Sequence, residues 1–370
     1  MKRRDFFKFG SALSLIAISP TILFSKDKNI RTFDIKYIFD IKNNDNKYPV
    51  KLWNPMPYNS SYQEVKYLHY AGNYKKVFLT RQNKYDALTL FSKWDKNIKN
   101  NHIEISMQVQ TSFRTVNIKD TQKASYKNLS IPKEVEPFLK STNHIPTTGI
   151  IKALANRITR GKKDRFEKVK AIYFWCTSHT FRDKNVVGCG TGDVGQMVKD
   201  EEIEKIYTNG YYGGKCTDLS SLFTALVRAS GTPAREVFGI RLGKSNFSHA
   251  LGTSKNGMAN ISSWQHCRVE YYIPGIGWIP CDPADITKLE LVENLQYSDK
   301  RVQELNEKYL HSWEMNWIGF NYARDFELYP KTVKYPLNMF GYPYGEVANK
   351  TLDYYDPSSF SFLIISNEVK

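Results

Sequence analysis

The sequence lacks the features that mark several specialised classes of protein. It contains no internal repeat, no low-complexity tract, and no CxxC or HxxxH spacing of the kind that holds zinc. Beyond its N-terminal stretch it has no apolar run long enough to cross a bilayer. No motif therefore indicates a metal, an organic cofactor or a multi-span membrane protein. The 370 residues, 41% of them hydrophobic, are enough to bury the cores of about two globular domains.

Acidic residues are scarce relative to basic ones, and the chain carries a formal net charge of +16. The lysines are scattered among asparagines and form no single stripe, and no zinc-finger, RNA-recognition or helix-turn-helix signature is present. These patterns argue against nucleic acid as a partner. The charge fits a solvated lysine-rich surface, an acidic substrate or association with an anionic envelope surface.

Residues 1–28 are typical of an export signal. They read MKRRDFFKFGSALSLIAISPTILFSKDK, with a basic start, an apolar stretch and a charged restart. Arg3 and Arg4 resemble the twin-arginine motif that Tat-type export machinery reads. No clear small-residue cleavage site follows, so a cleaved signal peptide and an uncleaved anchor both stay open. We expect the protein in the periplasm or the cell envelope.

Residues 29–130 follow the period-two pattern of β-strands. Hydrophobic residues occupy every second position from Phe33 to Ile41 and again from Ile103 to Val109. Between these two series, the proline-containing stretch YPVKLWNPMP is typical of an edge strand. The pattern predicts an antiparallel β-sandwich.

Helical spacing takes over after about residue 140. Apolar residues recur every three or four positions over residues 150–158 and 169–176, and strand-like stretches follow from residue 234 onward. Helices followed by antiparallel strands indicate an α+β catalytic domain over residues 140–290. The remaining residues, 291–370, are predicted to form an extension that packs on this core. Strands are expected near EMNWIGFNYARDFEL and FSFLIISNEV, and the extension is expected either to extend the sheet or to pack across the two domains.

The stretch GGKCTDLSSLFTALVRASGTPAR places Cys216 directly before an amphipathic helix. The spacing predicts a helix over residues 217–229, ended by Gly231 and Pro233. A helix N-terminus favours negative charge and lowers the pKa of a thiol, which makes Cys216 a candidate nucleophile. Cysteine is also often a small buried residue, so both interpretations stay open at this point. Asp218, in the first turn, is interpreted as a capping group.

A nucleophilic cysteine needs a base, and the base needs an acidic group that orients it. In QHCRVEYYIPGIGWIPCDPAD, pairing two strands about the PGIG turn places His266 opposite Asp282. His249 is the rival base, but its surroundings offer no orienting carboxylate and favour a polar loop position. The same pairing places Cys267 opposite Cys281 on the other side of the hairpin, where the two could form a disulfide in an oxidising compartment.

The cysteine stretch and the histidine–aspartate stretch together resemble the transglutaminase-like superfamily, in its bacterial exported branch. The resemblance spans about residues 145–290 and rests on a cysteine at a helix start, a histidine on a strand and an aspartate on the next strand. It implies a papain-like architecture, in which a core helix packs on an antiparallel sheet. It also implies that Cys216 is the nucleophile, His266 the general base and acid, and Asp282 the residue that orients His266.

The cleft around this triad has three candidate lining residues. Trp264 and Trp278 flank the histidine and the aspartate, and Gly214 precedes the cysteine. The two tryptophans are explained equally well as core residues. Cys267 stands where many relatives carry a small residue followed by tryptophan, which leaves the shape of the cleft open. The backbone N–H of Cys216 is the best candidate for an oxyanion donor, because the helix start points it at developing charge.

These features predict an exported, cysteine-dependent acyl-transfer enzyme with a Cys-His-Asp triad. The expected substrate is a peptide or carboxamide bond in a peptide, a protein or a cell-wall peptide. Transfer of the acyl group to water would make the protein a peptidase or amidase, and transfer to an amine would make it a transglutaminase; both stay open. The alternative is a non-catalytic binding or scaffold protein of the cell envelope on the same fold.

Overall fold

The computed structural model describes residues 30–42, 47–198 and 203–369. The predicted export signal lies outside the described residues. Within the described ranges, no helix is both long enough and apolar enough to cross a bilayer.

The N-terminal region consists of strands joined by loops, as its alternating hydrophobicity predicts. From Phe33 to Ile41 every second side chain is buried, and the same holds from Ile103 to Val109. One face of each strand therefore points into a core. The strands are β1 (Ile30–Lys42), β2 (Val50–Pro55), β3 (Gln63–Gly72), β4 (Lys76–Thr80), β5 (Thr89–Trp94), β6 (Asn100–Ser112) and β7 (Arg114–Thr115).

The central region begins with helices and ends with a hairpin and a further helix. Short 3-10 helices occupy Glu136–Leu139 and His249–Leu251. The two helices predicted before the glycine-rich segment are confirmed. The elements are α1 (Ile118–Tyr126), α2 (Gly149–Ile158), α3 (Arg165–His179), β8 (Thr180–Arg182), α4 (Val194–Met197), α5 (Ile203–Asn209), β9 (Tyr212–Gly214), α6 (Cys216–Ala229), β10 (Ala234–Arg241), β11 (Met258–Asn260), β12 (Gln265–Ile273), β13 (Gly277–Cys281) and α7 (Pro283–Glu293).

The C-terminal region returns to short strands after one further helix. Its last strand is the longest of them and covers the stretch FSFLIISNEV, predicted as a strand, except for its first two residues. The elements are α8 (Lys300–Tyr309), β14 (Ser312–Trp313), β15 (Trp317–Asn321), β16 (Arg324–Phe326), β17 (Leu337–Met339), β18 (Tyr344–Val347), β19 (Lys350–Thr351), α9 (Pro357–Phe360) and β20 (Phe362–Val369).

Two five-stranded antiparallel sheets form a β-sandwich, with strand orders β11-β20-β1-β6-β3 and β19-β18-β2-β5-β4. Buried side chains from both sheets share one core. The chain's last segment thus completes a sandwich that its first segment starts, so it extends a sheet, which is one of the two arrangements expected for it. The expected edge strand is wrong, because β2 lies in the middle of its sheet, between β18 and β5.

A separate four-stranded sheet, ordered β13-β12-β10-β15, lies beside the sandwich and carries α6 on one face. Every residue of α6 is buried, which is the property of a core helix packed on all sides. Side chains of α2, α3 and α6 and of β12 and β13 form the main hydrophobic core of this region. The α+β class predicted from the sequence is confirmed.

The β12–β13 hairpin differs in register from the predicted pairing. Val269, and not Cys267, lies opposite Cys281, because the turn is centred one residue later than expected. Strand β13 ends at Cys281, so Asp282 is the N-cap of α7 and not a strand residue. The expected disulfide is therefore wrong: Cys267 and Cys281 are not cross-strand partners, and both are free buried thiols.

Candidate active site

Cys216 is the first residue of α6, and its side chain is only 1% exposed. Its position leaves its backbone N–H without an acceptor inside the helix. Asp218 sits in the first turn and accepts hydrogen bonds from the backbone N–H groups of Lys215 (2.9 Å) and Gly192 (2.8 Å). The carboxylate thus holds the residue before the helix and a glycine loop together, in agreement with its interpretation as a capping group.

His266 and Asp282 are in contact although the register was predicted wrongly. His266 Nε2 donates to Asp282 Oδ2 at 2.8 Å, and Asp282 Oδ1 accepts from the backbone N–H of Asp285 at 3.1 Å. The first contact reaches from the start of β12 to the start of α7. The second contact caps α7, so the same carboxylate orients the imidazole and starts a helix. Both side chains are buried.

A second carboxylate and two guanidinium groups complete the polar surroundings. His266 Nε2 lies 3.3 Å from Asp285 Oδ1, which also pairs with Arg241. Arg268 Nε lies 3.4 Å from Asp282 Oδ2. Within the described ranges, His266, Asp282 and Asp285 form the one group of donors close enough to hold a metal ion. The two arginines already supply positive charge to these carboxylates.

The charge balance around His266 raises its pKa. Burial and the nearby Arg241 lower the pKa of the imidazole, but the carboxylates of Asp285 and Asp282 outweigh them. Because Nε2 is bonded to Asp282, Nδ1 is the ring atom left for the thiol of Cys216. The site therefore favours a protonated imidazole next to a sulfur.

Two further cysteines surround the thiol of Cys216. Hydrogen bonds from Cys189 and Cys267 are the largest causes that hold the pKa of Cys216 well below its usual value; burial opposes them, and His266 lowers the pKa further. The hydrogen bond to Cys216, followed by burial, raises the pKa of Cys189. Burial, followed by the same kind of contact, raises the pKa of Cys267. Cys216 is thus the thiol of this group whose pKa is lowered. In the structure the thiol of Cys189 donates to the carbonyl of Gln265 at 3.0 Å, and that of Cys267 donates to Thr217 Oγ1 at 3.7 Å.

The loop GCGTGD carries Cys189 to this position. Gly190 and Gly192 both have positive φ, of 82° and 64°. A Cβ at Gly190 would lie 1.8 Å from Asp218 Oδ2, and one at Gly192 would lie 2.3 Å from Ser221 Oγ. Both positions therefore require glycine for the backbone angle and for the close approach to α6.

The C-terminal region also reaches the site. Arg324 donates to the carbonyl of Gly192 at 2.6 Å, and Tyr355 donates to the carbonyl of Gly190 at 3.0 Å. The hydroxyl of Tyr342 donates to the sulfur of Cys189 at 3.0 Å. Residues far along the chain therefore fix the glycine loop, and Arg324 also donates to Ser221 of α6 at 2.9 Å.

A cavity of about 250 Å³ opens beside His266. Trp264, predicted to line the cleft, lines this cavity together with Cys189. Trp278 lies elsewhere, with its ring 5.1 Å from that of Phe138 and 4.0 Å from the guanidinium of Arg235. The remaining predicted lining residue, Gly214, is buried under the first turn of α6, where a Cβ would lie 2.6 Å from that of Asp218.

His249, the rival base, also borders the cavity. Its side chain is 67% exposed, and Nδ1 lies 3.7 Å from the carboxylate of Glu293. This position is a rim, away from the contacts of Cys216. The contacts of Cys189 and Tyr342 were not predicted from the sequence, because no spacing rule connects the glycine loop to a C-terminal tyrosine.

Comparison with known proteins places this geometry in a family. Residues 152–283 match the model of the transglutaminase-like superfamily. An uncharacterized protein of Haemophilus influenzae is 41% identical over 330 residues, which cover 86% of this chain and 86% of the relative. The matched family segment contains Cys216, His266 and Asp282.

Two solved structures are also similar. One, described as a "Putative Cysteine Protease from Cytophaga hutchinsonii", has a TM-score of 0.50 at 14% identity and covers 92% of this chain and 98% of its own. The periplasmic domain of TgpA from Pseudomonas aeruginosa has a TM-score of 0.32 at 13% identity, with coverage of 76% and 93%. The first of these shares the fold of this chain.

Proposed function

We propose, from the premise that the chain belongs to the transglutaminase-like superfamily, that it is a cysteine-dependent acyl-transfer enzyme acting on peptide or carboxamide bonds. One observation carries the proposal: the hydrogen bond between His266 and Asp282 stands beside a thiol whose pKa is held low. A thiolate next to a histidine that a carboxylate orients is the arrangement that nucleophilic catalysis needs.

In the proposed reaction, the Cys216 thiolate attacks the carbonyl carbon and forms a C–S bond. The backbone N–H of Cys216 stabilises the oxyanion of the tetrahedral intermediate. His266 then gives its proton to the leaving nitrogen, the C–N bond breaks, and an amine and an acyl thioester remain. Water or a second amine, deprotonated by His266, attacks the thioester and regenerates the thiol.

The surrounding residues are proposed to hold Cys216 and His266 in the orientation and charge state that the reaction needs. Asp282 stabilises the charged imidazole and fixes its ring, and the second carboxylate, Asp285, adds negative charge on the same side. Cys189 and Cys267, together with His266, lower the pKa of Cys216 and so favour its thiolate form.

Trapping the thioester tests the proposal. The protein is incubated with mixed peptides, a protein substrate and cell-wall peptides in the presence of hydroxylamine, which converts an acyl thioester into a hydroxamate and free thiol. We expect hydroxamates with the unchanged protein and none with Cys216→Ala. A biotinylated amine in place of hydroxylamine distinguishes transamidation from hydrolysis. Equal product with both proteins would overturn the proposal.

A second candidate is a non-catalytic binding or scaffold protein on this fold. The observation that favours it is burial, since Cys216 and His266 are only 1% and 3% exposed. This candidate predicts that Cys216→Ala binds and folds as before and that no thioester forms under any of the above conditions.

We also propose that the protein is exported to the periplasm or cell envelope through the signal in residues 1–28. The support is the pair Arg3 and Arg4 ahead of an apolar stretch. Replacing both arginines with lysine should leave the protein in the cytoplasmic fraction. Unchanged export of that double variant would contradict a twin-arginine route.

A further inference from the structure

The cavity beside His266 has an unbalanced charge. Its walls include four basic side chains besides His266, and none of the aspartates and glutamates in the described ranges lines it. The four are Arg182, Arg241, His249 and Lys288. A cavity of one charge sign next to a reactive group concentrates ligands of the opposite sign.

Two of these four basic groups already have partners. Arg241 pairs with Asp285 behind the catalytic histidine, and His249 lies near Glu293 at the rim. Arg182 and Lys288 differ, because neither side chain forms an ion pair or a hydrogen bond with any residue in the described ranges. Among the described residues neither charge has an ion-pair partner, although Asp285 and Cys216 attract the Lys288 ammonium electrostatically.

The surroundings of Lys288 disfavour the charged form of its side chain. Burial, together with the positive charges of Arg241 and Arg182, lowers the pKa of the Lys288 ammonium to about 7. An anion bound between Lys288 and Arg182 would remove that repulsion and restore the charged ammonium.

We propose that Arg182 and Lys288 form an anion subsite that binds a carboxylate of the substrate, so that the enzyme prefers acidic peptides as acyl donors. The inference rests on the proposed function, since it places this carboxylate in the cavity that His266 lines. Arg182 offers a planar fork suited to bidentate binding of a carboxylate, and Lys288 offers a point charge. Arg182 ends β8 and Lys288 lies in α7, so two neighbouring rigid elements hold the pair.

Two small alkylating reagents test the subsite through chemistry at the nucleophile. Iodoacetate carries a carboxylate and iodoacetamide is neutral, and otherwise they react with a thiol in the same way. The ratio of their rates at Cys216, measured by mass mapping, reports how the cavity treats negative charge. We expect Lys288→Gln and Arg182→Gln each to lower the iodoacetate-to-iodoacetamide ratio about tenfold, the equivalent of one charge-assisted hydrogen bond. Lys162→Gln, an exposed lysine outside the cavity, should leave the ratio unchanged.

A binding measurement separates the subsite from the catalytic proposal. Glutarate is titrated at constant ionic strength into folded Cys216→Ala protein and followed by NMR, with and without Lys288→Gln. We expect glutarate to bind and its Kd to rise about tenfold in the double variant. If iodoacetamide alkylates Cys216 only slowly while glutarate still binds, the proposed chemistry is overturned and the subsite is not. An unchanged reagent ratio together with an unchanged Kd would overturn the subsite.

Discussion

The five cysteines fall into two groups whose environments differ in their polar partners. Cys176 and Cys281 lie in the main hydrophobic core, whereas Cys189, Cys216 and Cys267 meet at the start of α6. All five are buried. Burial raises the pKa of Cys176, and burial together with the charge of Asp282 raises that of Cys281. Hydrogen bonds and a charged histidine reverse this effect at Cys216, so polar partners decide which buried thiol can react.

The largest difference in rate between the two groups is expected when one cysteine of each group is replaced by alanine. Cys216→Ala should lower any acyl-transfer rate by about 10⁴-fold or more, because the nucleophile is lost. Cys176→Ala should keep the rate and lose about 1 kcal/mol of stability, because only packing is removed. Turnover of a common substrate and urea unfolding check both variants. A large rate loss in Cys176→Ala would break the distinction between the groups.

Removing the charge behind His266 should have the next largest effect. Asp282→Asn keeps an acceptor for the N-cap of α7 but loses the carboxylate that stabilises the protonated imidazole. We expect a rate loss on the order of 10³- to 10⁴-fold with little loss of stability. Asp356→Asn makes the same change at the N-cap of α9 and should alter neither quantity. A stability loss in Asp282→Asn as large as the rate loss would indicate a structural role.

Displacing the loop that carries Cys189 should disturb the packing that brings this cysteine to the start of α6. Gly190→Ala adds a Cβ at 1.8 Å from Asp218 Oδ2 in a left-handed backbone, and should cost about 2–4 kcal/mol. Gly161→Ala shares the positive φ but meets nothing within 4 Å, and should cost only about 1 kcal/mol. Thermal unfolding compares the two variants. Equal losses would mean that close packing of the glycine loop against α6 does not matter.

The smallest effect is expected at Cys189 itself. Cys189→Ala removes the strongest contribution to the low pKa of Cys216, so less thiolate should be present at a given pH. The pH at which Cys216 becomes reactive should move upward, and the rate at neutral pH should fall by about threefold to tenfold. Cys176→Ala serves as the control, because it leaves the contacts of Cys216 intact. A pH profile that Cys189→Ala does not move would assign the low pKa to Cys267 and His266.

Local patterns were sufficient to predict much of the fold. Helical spacing placed α6 within one residue of its observed start, and alternation identified the buried faces of β1 and β6. The closing of the sandwich by β18 to β20 could not be predicted, because pairing across more than 250 residues leaves no periodic signal.

The candidate site, like the fold, could be predicted only in part from the sequence. The hairpin brought His266 close to Asp282 even though its register was shifted, because the carboxylate reaches back from a helix cap. The cysteine cluster could not be predicted, since Cys189, Cys216 and Cys267 come from three separate segments that meet only through tertiary packing.

One measurement tests the central claim that partners make Cys216 a thiolate. The folded protein is treated with iodoacetamide from about pH 4 to about pH 9, and the rate at each cysteine is mapped by mass spectrometry. Because the pKa of Cys216 is lowered, its thiol should stay ionised at pH values well below the free-thiol pKa of about 8.5. Its alkylation rate should therefore reach a plateau well below that pH. His266→Ala should move this transition upward, while Cys176 and Cys281 stay unlabelled until the protein unfolds. A Cys216 profile of an ordinary thiol that His266→Ala leaves unchanged would contradict the account.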